Sequence, residues 1–180
     1  LTCTRNIRSY GEHDRSLPER TVLDNLFAAL RPVNHLEQKI TSSIIGEDEI
    51  ADAASPELAS IRRQIRAASA RARDALQKII SSPSNQKALQ ETIITTRDGR
   101  YVVPVKAEYR GQIPGLVHDV SASGATLFVE PMASVKANNE LRELRAKEKQ
   151  EIERFLMELS ADVASHREDI DLEYVVSVDL

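Results

Sequence analysis

The spacing of apolar positions changes twice along this chain, and the changes divide it into three stretches. From Leu17-Pro18 onward, Val22, Leu23, Leu26, Phe27 and Leu30 recur at the period of one helical face. Pro32 interrupts that run and opens a second helix, with Val33, Leu36, Ile40 and Ile44 on one side and Gly46 as its stop. Ser55-Pro56-Glu57-Leu58 supplies an N-cap serine, a proline at the first helical position and an early acid, so a third helix starts there. Leu58, Ile61, Ile65, Ala68, Ala72, Leu76 and Ile79 then form a narrow seam of the coiled-coil kind. Ser81-Ser82-Pro83-Ser84 should end this helix after roughly 40 Å at about 1.5 Å per residue.

Beyond it the period shortens. Residues 91–96 and 100–106 flank Asp98-Gly99, the preferred pair for a tight hairpin turn. Residues 115–121 and 125–130 flank Ser123-Gly124, which predicts a second hairpin. Pro104 and Pro114 predict edge strands or bulges. From Met132 the helical period returns through Val135, Leu141, Leu144, Ile152, Phe155, Leu159 and Val163 to about Ile170, a helix of roughly 55 Å. Its apolar stripe lapses across residues 145–151, which predicts a stretch with no partner helix beside it. Residues 1–16 are polar and mixed, so partial order is expected there. The expected fold class is mainly α with a small antiparallel β lobe (α+β), long helices leading to and from four strands.

Composition narrows the picture. The 180 residues give room for one domain, or one domain with a lobe. Aromatics are 4%, Trp is absent and 29% of residues are charged, which suits long, partly exposed helices better than a thick core. The net charge of −4 provides no global basic field, so any nucleic-acid contact must come from local patches. The lone Cys3 excludes an internal disulfide and fits a reducing compartment. No apolar run is long enough to span a bilayer and no signal-peptide pattern opens the chain, so a cytoplasmic protein without a membrane partner is expected. The chain opens without Met and closes inside an apolar pattern from Glu173 to Leu180, so both ends are expected to be fragment boundaries.

Several clusters could carry chemistry. Arg97, Arg100, Lys106 and Arg110 gather on the predicted hairpins, with Asp98 and Glu108 as the nearby acids. They could meet phosphates and release counterions, or be the charged edge of a solvated sheet. Nothing resembles a base-reading helix or a stacking platform, so contact would be sequence-neutral. Ser121-Ala122-Ser123-Gly124-Ala125-Thr126 could cradle an anion with its backbone or form a tight turn whose hydroxyls satisfy local groups, and the turn is favoured. It lacks the Gly-Lys-Ser/Thr of a P-loop, so no ATP site is expected. His118 beside Asp119 could suggest acid–base chemistry, but strand neighbours point to opposite faces, so a packed or turn-capping histidine is expected. Arg62, Arg63, Arg66, Arg71, Arg73 and Lys78 make one long helix basic. Glu143, Glu148, Glu151, Glu153, Glu158 and Asp162 make the other acidic. Opposite charges flanking a shared seam would fix its pairing; a stripe facing nucleic acid is the alternative.

The stretch from Thr95 to Asn139 holds four of the six glycines and is specific enough to suggest a family. It contains Arg97-Asp98-Gly99-Arg100-Tyr101, Pro104-Val105-Lys106, Glu108-Tyr109, Val117-His118-Asp119, the Ser121–Thr126 run, Phe128, Glu130-Pro131 and Asn138-Asn139-Glu140. Upstream lie Asp52-Ala53-Ala54-Ser55-Pro56-Glu57-Leu58 and Ile61-Arg62. Over roughly residues 45–160 the chain resembles the MutS-II family, bacterial paralogues of the mismatch-repair ATPase MutS. Ala137 departs from the larger apolar residue usual in that family, and the neighbouring asparagines are expected to brace the junction. The resemblance implies that residues 1–54 are part of a helical core, 55–90 an outgoing lever helix, 91–131 a β clamp lobe at its distal end, and 132–180 the returning lever and truncated core. It implies a homodimeric parent with an ABC-type ATPase that uses ATP and Mg, and an Smr endonuclease domain. The implied targets are DNA, in recombination suppression akin to mismatch repair, or collided ribosomes through rRNA. No catalytic part and no cofactor are expected within these residues. A non-catalytic scaffold docking protein or ribosome, without free-DNA contact, is the alternative.

Overall fold

The computed structural model describes residues 1–13 and 22–179. The helix opening at Leu17-Pro18 and the side chains of Val22 and Leu23 lie outside the described residues. In chain order the elements are α1 (Thr2–His13), α2 (Val22–Ala29), α3 (Asn34–Ser43), β1 (Ile44–Gly46), β2 (Glu49–Ile50), α4 (Pro56–Ile80), β3 (Thr95–Arg97), β4 (Arg100–Lys106), β5 (Gly115–Val120), β6 (Thr126–Pro131), α5 (Met132–Ser165) and α6 (Arg167–Asp179). The fold is α+β, mainly helical with two small antiparallel sheets. Two compact units divide it: Leu1–Leu58 with Glu151–Leu180, and Ala59–Gln150.

In the first unit Val33, Leu36, Ile50, Leu58, Phe155 and Leu159 form the core. The expectation of partial order at residues 1–16 is corrected over Thr2–His13 by α1; residues 14–16 lie outside the described residues. Thr4 donates to the buried Glu173 carboxylate at 2.8 Å, while Thr2 and Arg5 reach the buried Glu37 at 2.7 and 3.2 Å. The polar composition that argued for disorder is used to hold buried acids. α3 stops at Ser43, not at Gly46, because the β-branched pair Ile44-Ile45 turns into a short hairpin with Glu49–Ile50. Ser55 caps α4 as expected, accepting from Leu58 N at 3.2 Å, and it also bonds Glu151 at 2.5 Å. The helix expected to reach Ile170 breaks at His166. Its N–H bonds Val163 O at 3.1 Å, a three-residue closure, and α6 resumes with Ile170 N on His166 O.

In the second unit α4 and α5 run antiparallel. Arg62 meets Glu148 and Arg71 meets Glu140, each at 2.7 Å, with Ala68 and Ala72 packed against Leu141 and Leu144 between them. Opposite charges therefore flank the seam. The Arg62–Glu148 bond also corrects the inference drawn from the lapse at 145–151: α4 lies alongside, and the seam is polar there. The four-stranded sheet has the order β3-β4-β6-β5, with both predicted hairpins in place. Leu76, Ile80, Ala88, Leu89 and Ile113 cover one face through Val103, Val105 and Val129.

Two strand details differ from expectation. β3 begins at Thr95 rather than 91. Pro104 sits inside β4, an interior strand, yet on the flank that β3 does not reach. There an irregular segment takes over, with Gln90 N on Pro104 O and Lys106 N on Ala88 O. No ladder bond is asked of the missing proline N–H.

Candidate nucleic-acid interface

Asp98 (φ 47°) and Gly99 (φ 74°) both adopt the left-handed conformation that a two-residue hairpin demands. The turn places Arg97 directly opposite Arg100. Arg97 lies flat over Phe128, with Cζ 3.8 Å from the ring centroid, and its Nε donates to Asp119 at 3.0 Å. Arg100 points to a different acid. One guanidinium nitrogen donates to both oxygens of Glu130 at 2.9 and 3.1 Å, and the other donates to Asn139 at 2.8 Å.

Glu130 is fully buried and also meets Asn138 Nδ2 at 2.8 Å and His118 Nε2 at 2.5 Å. Leu116 pairs with Glu130 and Asp119 with Phe128, so these two β5 residues share a face although they are three apart. The extra residue is a bulge around His118. It revises the alternation expected of His118 and Asp119: the first binds Glu130 and the second binds Arg97. His118 is thus a packed histidine, as expected.

Asn138 braces the start of α5, as its sequence position suggested. Its amide donates to Tyr101 O at 3.0 Å and accepts from Tyr101 N at 3.1 Å. It completes the β4 backbone where the β4–β6 pairing ends, beyond Val103 and Val129.

The four candidate cations separate into two pairs. Arg97 and Arg100 share one end of β4, while Lys106 lies at the other, about 20 Å away at 3.3 Å per residue. Lys106 Nζ donates to Lys87 O at 3.2 Å, and Arg110 is exposed beyond the 3-10 turn Ala107–Tyr109. Among the described residues the Arg110 side chain has no hydrogen-bond or ion-pair partner. Arg100 is the least available: its side chain is 15% exposed and committed to Glu130. Arg145 was not foreseen. It donates to Gly99 O at 2.9 Å from 46 residues away, a pairing without a local sequence signal.

The Ser121–Thr126 run is a tight turn. Ser121 Oγ accepts from Thr126 N at 3.1 Å, and Gly124 supplies φ 73°. Among the described residues no group of His, Cys, Asp and Glu could hold a metal ion, and no helix is long and apolar enough to cross a membrane.

No family model matches the chain. Its relatives are more informative. It is 56% identical over 166 residues to the protein named Endonuclease MutS2 of Pelotomaculum thermopropionicum, covering 92% of this chain and 21% of that protein. Endonuclease MutS2 of Geobacillus thermodenitrificans is 59% identical over 141 residues, 78% of this chain and 18% of its own length. The chain belongs to the MutS2 family. A MutS2 relative from Alkaliphilus oremlandii aligns along the whole chain at 48% identity, covering 23% of its own length. The chain thus spans about a fifth of the MutS2 relatives it matches, and the likeness extends through both units.

Proposed function

We propose that these residues are the lever and clamp region of a MutS2 protein, and that the β lobe makes sequence-neutral contacts to nucleic-acid phosphates. The observation that carries the reading is Arg110, an exposed cation on the lobe whose side chain has no partner among the described residues. Lys106 and Arg97 support it. Lys106 spends one donor on a backbone carbonyl, and Arg97 is stacked so that its fork is held in a fixed plane. α4 and α5, of 25 and 34 residues, are the lever: continuous rods tied by a narrow seam and crossing ion pairs. Such rods can transmit a domain-scale movement. In this reading ATP and Mg chemistry, endonuclease chemistry and homodimer contacts belong to other regions of the longer cytoplasmic protein. This region catalyses nothing and takes no cofactor. Its target is branched or duplex DNA, in recombination suppression, or the rRNA of a collided ribosome.

A second reading has its own observation. Leu116, Val117 and Val120 are 37–49% exposed on β5, the edge strand of the lobe. An exposed apolar edge suits docking to a protein surface instead.

Fluorescence anisotropy of the chain with labelled branched DNA, duplex DNA and structured RNA at two salt concentrations tests the two. Charge reversal is applied to Arg97, Lys106 and Arg110 but not to Arg100, whose loss would disturb Glu130. Phosphate contact predicts that each reversal lowers the salt slope on duplex DNA by about 0.9. Salt-independent binding, or binding indifferent to the reversals, would favour docking.

A further inference from the structure

The hairpin has a second face. Alternation along β4 turns Tyr101 away from Arg100 and toward α4. There the Tyr101 hydroxyl lies 2.7 Å from Ser69 Oγ, and its ring centroid is 5.1 Å from Arg73 Cζ. Arg66, Ser69 and Arg73 follow one side of α4 at helical spacing. With Ile65, Ala70 and Asp74 they line an open cleft of about 490 Å³. Arg145, anchored on Gly99 O, brings a further positive charge close to Tyr101.

Asp74 is the one acid among the described residues lining the cleft, which Arg66 and Arg73 also line. Among the described residues Arg73 has no carboxylate partner; its contact is with the Tyr101 ring. The phenol reports the resulting potential. Burial pushes its pKa up, but hydrogen bonds from Ser69 and Arg73 and the charges of Arg73 and Arg145 together hold it below the ordinary value. The Ser69–Tyr101 bond uses one of two hydroxyl protons, so the other can donate to a ligand.

We propose that this cleft binds a phosphate group of a polynucleotide backbone, with Arg66 and Arg73 as its charged ligands and the Ser69–Tyr101 pair as its neutral donor. The polyanion is the one proposed above, so the inference rests on that reading for its source. The contacts, however, lie on the opposite face from Arg97 and use none of the same side chains. Two rows of phosphate contacts would let the strand pass both faces of one hairpin.

The test uses the phenol as its own reporter. Tyr101 ionisation is followed by ultraviolet difference titration, with Tyr101→Phe assigning the signal, in inorganic pyrophosphate and in chloride of equal ionic strength. A bound anion raises the titration midpoint. Arg73→Gln should abolish the pyrophosphate shift, while Arg73→Lys, which keeps the charge, should retain most of it. In duplex-DNA anisotropy, Arg66→Gln with Arg73→Gln should weaken binding at least fivefold and lower the salt slope by about one to two. An absent pyrophosphate shift, or one that survives Arg73→Gln, overturns the inference. DNA binding lost with the Arg97 and Arg110 reversals but unchanged by the Arg66 and Arg73 substitutions also overturns it and leaves the clamp reading standing. The opposite pattern sinks the clamp reading and keeps this one.

Discussion

Arg100→Ala should be the most damaging single truncation on the β lobe, for a reason unrelated to ligand binding. The guanidinium donates to both oxygens of a fully buried carboxylate. Removing it leaves Glu130 with Asn138 and His118 alone. Breaking a buried ion pair from one side typically costs about 3–5 kcal/mol. The remaining donors, and the 15% of the Arg100 side chain that water already reaches, place the expectation near the lower bound. About 3 kcal/mol corresponds to a roughly 100-fold faster opening of the sheet, since about 1.4 kcal/mol is tenfold. Hydrogen exchange of the β4 and β6 amides measures this directly and does not require the two-unit chain to unfold in one step. The decisive arm is the double variant. Glu130→Gln in the Arg100→Ala background removes the stranded charge while keeping its shape, and should recover at least tenfold of the lost protection. Exchange accelerated less than fivefold by Arg100→Ala, or no recovery in the double variant, would refute the claim that Arg100 exists to neutralise Glu130.

Three further outcomes follow from geometry. Gly115→Ala should lower the thermal midpoint by several degrees, because the new Cβ would lie 2.3 Å from the Glu130 carbonyl oxygen, a backbone atom that cannot step aside. Ser55→Ala should cost about 1 kcal/mol in a urea titration through loss of the α4 cap. The Glu151 carboxyl is held down to about 2, first by the Arg154 hydrogen bonds and then by Ser55. A depressed acid stabilises the fold above its ordinary range near 4.5 and loses that contribution as pH falls toward 2. Glu151→Gln should therefore be less stable than the parent at pH 6, by about 1 kcal/mol given that Arg154 is half in water, and should match it near pH 2 in a series of melting curves.

What the sequence revealed was local. The start of α4 needs only Ser55 and Pro56, and the first hairpin only Asp98 and Gly99, because cap and turn are satisfied within three or four residues. The order of α1 depends on Thr4 reaching Glu173, 169 positions away, and no window around residues 1–16 contains that acid. The hairpin arginines were legible as charges but not as partners. Arg97 and Arg100 look equivalent in the sequence, yet one is stacked on an exposed face and the other is bound to a buried acid 30 residues on. The bulge at His118 was equally hidden. Strict alternation is the expectation for any strand, and a single extra residue leaves no compositional trace.

The Asn138 amide has a consequence for strand slippage. Residues 102–105 of β4 are buried and apolar on both faces, so a one-residue shift of that strand would exchange one apolar set for another at little hydrophobic cost. Side chains that read the main chain supply the missing discrimination. Asn138 clasps both polar groups of Tyr101 and of no other residue, and Pro104 tolerates only a flank on which no donor is required. A shifted strand would strand the amide in the interior and put the proline where a ladder bond belongs. Asparagine and proline, among the poorest formers of regular structure, thus give a uniform valine-rich strand one alignment.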